Sequence, residues 1–107
     1  MAVYQLVQGD TKPQIQLTLT RGDNNEIADL TDCTVYCHIR KIGSTSLTLT
    51  KTCVVNNPTS GEAVVAWVDG DLDISAGLYE AEIEIEHANY TETVFDLLTL
   101  DVRGQLG

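Results

Sequence analysis

Basic residues are scarce in this sequence: six lysines and arginines stand against sixteen aspartates and glutamates, for a net charge of −10. Binding to nucleic acid draws on Lys and Arg replacing phosphate counterions, so the scarcity argues against a nucleic-acid partner. It equally disfavours an anionic membrane surface. No stretch approaches the roughly 18 consecutive apolar residues of a membrane span, so no membrane partner is expected. The opening Met-Ala-Val-Tyr-Gln-Leu has neither a basic start nor an apolar run. No signal peptide is therefore visible, and a chain assembled in a cytoplasm is expected. Only two prolines occur, and no long polar tract stands ready to serve as a linker. A length of 107 residues fits one domain over 1–107 and is too short for two independent cores.

Cysteine is limited to Cys33, Cys37 and Cys53, an odd number that cannot pair fully within one chain. If Cys33 and Cys37 share one face of a strand they lie about 13 Å apart, beyond disulfide reach. Zinc asks for four ligands at spacings such as C-x₂-C, which these three do not supply. Buried free thiols acting as small hydrophobes are the expected state.

What is abundant is alternation with period two. Ile15, Leu17 and Leu19 interleave with Gln14, Gln16, Thr18 and Thr20, and Cys33, Val35, Cys37 and Ile39 with Thr34, Tyr36, His38 and Arg40. In 78–87, Tyr79, Ala81, Ile83 and Ile85 oppose Leu78, Glu80, Glu82, Glu84 and Glu86. A helix would scatter those glutamates; a strand gathers them into one row. Further strands are predicted at 3–8, 46–55, 62–68 (apolar on both faces, hence central) and 98–102, with Trp67 on the 62–68 strand. Turn clusters separate them: Arg21–Asn25, Asn56–Gly61 and Asp69–Asp71. No window shows helical periodicity over three turns. About seven short antiparallel strands predict an all-β sandwich or barrel.

Asp73-Ile-Ser-Ala-Gly-Leu-Tyr79-Glu-Ala81 tips the balance toward the sandwich. It resembles the immunoglobulin tyrosine corner, in which a tyrosine at the start of strand F bonds back to upstream backbone. Ala81 stands where antibody domains carry a cysteine, so the expectation is an immunoglobulin-like sandwich without its disulfide.

Candidate chemical sites are few. Asp69-Gly-Asp71-Leu-Asp73 resembles part of a calcium loop, but Ile74 sits where that loop needs glycine, and a solvated corner is expected. The glutamate row reads as a solvated face, with Arg40, His38 and Tyr36 beside it if strands C and F are neighbours. His38 and His87 belong to no nucleophile motif, and no glycine-rich phosphate loop exists. Arg21-Gly22-Asp23 spells an adhesion tripeptide but reads as a hairpin turn, and Asn89-Tyr90-Thr91 is a sequon without a secretory context. No catalytic residue, metal site or cofactor is expected, and the chain is read as a non-enzyme.

The order of these features resembles the N-terminal immunoglobulin-like domain of phage upper baseplate and tail-tip proteins. The matching stretches are Gly9-Asp10 after the first strand, Gln14–Thr20, Ala28–Thr31 leading into Cys33–Lys41, Thr59–Gly61 before 62–68, Gly77–Ile83, and the closing strand at 97–102. The resemblance implies a virion structural protein, assembled in the host cytoplasm, that docks in a tail baseplate or fibre. A head decoration or head–tail joining protein is the alternative placement. Self-association as a trimer or hexamer and contacts with other virion proteins are the partners it implies. A carbohydrate-binding or adhesin-like module is the competing reading, and it predicts exposed aromatics on one surface, with Tyr4, Tyr36 and Tyr90 as candidates.

Overall fold

The alternation seen in the sequence is realised as two β-sheets whose apolar faces share one core. The computed structural model describes residues 3–21, 26–94 and 97–106. Among them run β1 (Val3–Val7), β2 (Ile15–Thr18), β3 (Thr34–Lys41), β4 (Leu49–Thr52) and β5 (Val54–Asn57). A 3-10 turn at Pro58–Ser60 leads to β6 (Glu62–Val65), β7 (Gly77–Glu86), β8 (Thr91–Thr93) and β9 (Leu98–Arg103). The large sheet has the order β1-β9-β7-β3-β4 with β8 attached to β7, and the small sheet is β2-β6-β5. Taking β2, β3, β5, β6, β7 and β9 as strands B to G gives sheets B-E-D and C-F-G, the immunoglobulin division.

The inner faces supply the core. Val35, Cys37 and Ile39 of β3, Tyr79, Ala81, Ile83 and Ile85 of β7, and Leu100 and Val102 of β9 are all buried. They meet Ile15 and Leu17 of β2 and Ala63 and Val65 of β6 in one cluster. No disulfide helps: all three cysteines are free. Burial pushes the Cys37 thiol up to about 12, with neighbouring Cys53 adding to it, and the Cys53 thiol to about 11 despite the opposing Lys51 charge. Tyr79 ties the corner as its sequence context predicts, its hydroxyl donating to the Ser75 carbonyl at 2.7 Å. Gly61 ends the 3-10 turn at φ 68°, and a Cβ there would lie 2.7 Å from the Leu19 carbonyl oxygen, so only glycine fits.

Several details depart from the sequence expectation. Among the described residues nine strands replace about seven, and they are not all antiparallel, because β1 runs parallel to β9. The chain makes β1 at the edge of the large sheet, then turns at Gly9-Asp10 and crosses to begin the small one. The 46–55 run splits at buried Cys53 into β4 of the large sheet and β5 of the small one. No periodicity marks such a change of sheet, since Leu49 and Cys53 both stay inward. The 62–68 run leaves the ladder after Val65, so Trp67 lies past the strand. It is buried as expected, and its indole N–H donates to the Pro13 carbonyl at 3.1 Å, holding the entry to β2.

Candidate functional site

The outer face of β3 and β7 gathers most of the chain's chemistry-bearing side chains. The antiparallel register sets Tyr36 opposite Glu84, His38 opposite Glu82 and Arg40 opposite Glu80, the neighbours the sequence named. Arg40 Nε donates to Glu80 Oε1 at 2.6 Å. His38 Nε2 lies 3.4 Å from Glu84 Oε1, its Nδ1 is 3.1 Å from Thr50 Oγ1, and its ring stacks on Tyr36. A groove of about 110 Å³ crosses this face between Leu47 and Leu97, floored by His38, Arg40, Glu80 and Glu82. Exposed cross-strand pairs of this kind are worth about 0.2–1 kcal/mol each. The face can present charge to a partner; its groove has room for one side chain.

A second cluster escaped the sequence reading. Cys33 Sγ lies 3.3 Å from His87 Nδ1, and His87 Nε2 lies 3.2 Å from Glu92 Oε1. Tyr90 stacks on the His87 ring with centroids 4.1 Å apart. Together they line a concavity of about 250 Å³ with Arg21, Asp29 and Thr31. Cysteine, histidine and glutamate in one chain of contacts have the outline of a nucleophile, base and orienting group. The electrostatics oppose that use. Burial first, then the Asp29, Asp32 and Glu92 carboxylates, raise the Cys33 thiol above its ordinary value, so it keeps its proton at neutral pH. Nucleophilic cysteines sit in electropositive surroundings, and these are acidic. The contacts instead brace the start of β3 against the β7–β8 hairpin. The Thr34–Glu86 pairing brings Cys33 and His87 together, and only the β3–β7 register carries that signal. Cys33 is half-buried at this rim, less enclosed than expected.

The Asp69–Asp73 loop is not the fully solvated corner expected. Leu72 is buried, and Asp71 Oδ2 holds Lys51 Nζ at 2.6 Å while accepting the Val68 N–H at 2.8 Å. Burial acts to raise the Asp71 carboxyl, but the Lys51 and Val68 hydrogen bonds and the Lys51 charge outweigh it and hold it below its ordinary value. Among the described residues no three His, Cys, Asp or Glu side chains converge to hold a metal ion. Arg21 is described, whereas Gly22 and Asp23 of the tripeptide lie outside the described residues. Asn89 and Tyr90 of the sequon are exposed in the β7–β8 hairpin. The aromatic candidates form no common platform. Tyr4 packs against the core, Tyr36 lies on the outer face of β3, and Tyr90 stands in the hairpin. No described helix is long and apolar enough to cross a membrane.

No family model and no curated protein matches this sequence. Among solved structures the fold matches the N-terminal domain of phage TP901-1 ORF48, with a TM-score of 0.58 and 11% identity. The match covers 97% of this chain and 85% of that one. At that identity the likeness establishes a common fold: an all-β sandwich of two sheets, followed from nearly one end of the chain to the other.

Proposed function

We propose that this chain is a phage or prophage virion structural module that docks within a tail baseplate or fibre and performs no catalysis. The observation that carries this reading is the fold match to a phage protein's N-terminal domain over 97% of the chain. The order of motifs in the sequence, from Gly9-Asp10 to the 97–102 strand, points the same way. The protonated Cys33 thiol and the ion-paired outer face support contact rather than chemistry. The module acts as a trimer or hexamer, or on a ring of that symmetry, through contacts with itself and with neighbouring virion proteins. Placement in the head, as a decoration or head–tail joining component, is the alternative.

Mass spectrometry of gradient-purified particles from the phage or induced lysogen that encodes the chain tests this reading. Recovery with tails, after heads and tails are separated, is the expected result. Recovery with heads selects the alternative placement, and absence from intact particles overturns the proposal.

A further inference from the structure

Among the described residues, four strands of the two main sheet paths lie at an edge with one side unpaired: β1 and β4 in the large sheet, β2 and β5 in the small one. Unpaired edges invite pairing with other chains, and proteins blunt them with charges, prolines or bulges. Two of the four carry such a device in the strand or its ladder, and a third only follows a proline. β4 contains Lys51, which turns toward the core side to meet Asp71. β2 is entered through Pro13, and the β5–β6 ladder is broken by a register shift between Val55 and Asn57. The short attached β8 carries Glu92. β1 has none of these. It is five residues long against four for each of β2, β4 and β5, and it has no charge, no proline and no bulge.

The direction of its free backbone groups follows from one hydrogen bond. Gln8 N donates to the Arg103 carbonyl on β9. Main-chain groups alternate sides along a strand, so Tyr4 and Leu6 also face β9, while Val3, Gln5 and Val7 face away from it. Gln5 thus directs both its N–H and its C=O to the open edge. The strand also reads nearly the same in both directions. On the outer face Val3 and Val7 flank Gln5; on the inner face Tyr4 and Leu6 flank it.

We propose that β1 is a self-pairing edge, through which two copies of this chain join antiparallel about a two-fold axis at Gln5. Gln5 meets Gln5 of the second copy as a hydrogen-bonded pair exchanging two main-chain bonds. Val3 then faces Val7, and Tyr4 faces Leu6, so every cross-strand pair is apolar with apolar or amide with amide. A chain of charge −10 repels its own copy, and β1 lets two copies meet with no carboxylate in the pairing strands themselves, Asp101 standing one strand back beside Gln5. Exposed Leu106, which shares a concavity with Val7, Asp10 and Arg103, adds an apolar contact beside the strand. The contact is isologous, so of a trimer and a hexamer only the hexamer accommodates it. This deepens the assembly reading above by naming the partner and the strand, and it rests on that reading for its place in a particle.

A five-residue strand pair buries less than the ~1,200–2,000 Å² of a standard interface, so the dimer is weak, with Kd between about 1 μM and 1 mM. Sedimentation equilibrium of the whole chain up to about 1 mM reads it directly. Wild type is expected to pass from monomer to dimer across that range. Gln5→Pro removes an N–H that β9 does not use, and Gln5→Lys places two like charges across the axis; each is expected to weaken association at least tenfold while circular dichroism stays native. Thr52→Lys on β4 is the control and leaves association unchanged. A wild-type monomer throughout, or loss of association in the Thr52→Lys chain with the Gln5 variants unaffected, overturns the proposal. Neither result bears on recovery of the chain from purified particles, so the two readings fail separately.

Discussion

The two edges of the large sheet meet the same hazard in opposite ways. At β4 the strand's single cation, Lys51, is drawn into an inward ion pair with Asp71, and the chain then leaves for the other sheet through buried Cys53. At β1 it leaves Val3, Gln5 and Val7 uncharged along an edge that is open at Gln5, while the Val7 carbonyl accepts the Asp10 N–H. A strand closed by an inward charge must be opened before it pairs with anything; a bare one is ready to pair. The difference between a closed edge and an open one is therefore written in a few side chains rather than in the sheet as a whole.

Both edges hang from the β3–β7 centre, so the largest effect is expected there. Ile83→Ala, at a fully buried position of β7, is expected to cost about 2–5 kcal/mol in urea unfolding. Molecules still folded should associate through β1 as before, which separates the stability of the sheet from the pairing of its edge.

Opening the closed edge comes next. Lys51→Ala strands the half-buried Asp71 carboxylate and is expected to cost about 1–3 kcal/mol at neutral pH. The pH dependence has a definite sign. The folded Asp71 carboxyl titrates below its ordinary value of 3.8. The stability it contributes is thus present above 3.8 and lost as pH falls through the depressed value. Denaturation midpoints measured from pH 6 down to pH 2 should show the Lys51→Ala chain losing less than wild type over the acid limb.

Tyr79→Phe removes the hydroxyl that ties the corner between the two sheets, and about 0.5–1.5 kcal/mol of destabilisation is expected in the same assay. Neither edge should change.

The smallest effect reads the edges through thiol accessibility. With a thiol reagent at pH 8, native wild type is expected to react once, at half-buried Cys33, since burial holds the Cys37 and Cys53 thiols near 12 and 11. Because Cys53 marks where the chain leaves β4, Lys51→Ala should speed labelling at Cys53 and leave Cys37 slow. Equal labelling of all three thiols in native wild type would contradict the closed edge.

Much of this was legible in the sequence wherever one strand's own pattern decides the outcome. Period two placed Tyr79, Ala81, Ile83 and Ile85 inward and the glutamates outward. The Asp73–Ala81 context gave the tyrosine corner, and the neighbouring of strands C and F gave Arg40 beside Glu80. What stayed hidden depends on pairing between distant segments. The parallel alignment of β1 with β9, the change of sheet at Cys53, and the meeting of Cys33 with His87 all follow from register, which no local pattern encodes. The Lys51–Asp71 pair was hidden for a related reason: a lysine in a threonine-rich strand reads as solvated until the loop that covers it is in place.

Amide hydrogen exchange, followed strand by strand at about 10 μM and about 1 mM chain, tests the contrast between the edges most directly. Slower exchange of the Gln5 and Val7 amides at the higher concentration, with Thr50 and Thr52 of β4 unchanged, is the expected result. Exchange at Gln5 and Val7 that ignores concentration, or protection that grows at β4 instead, would contradict it.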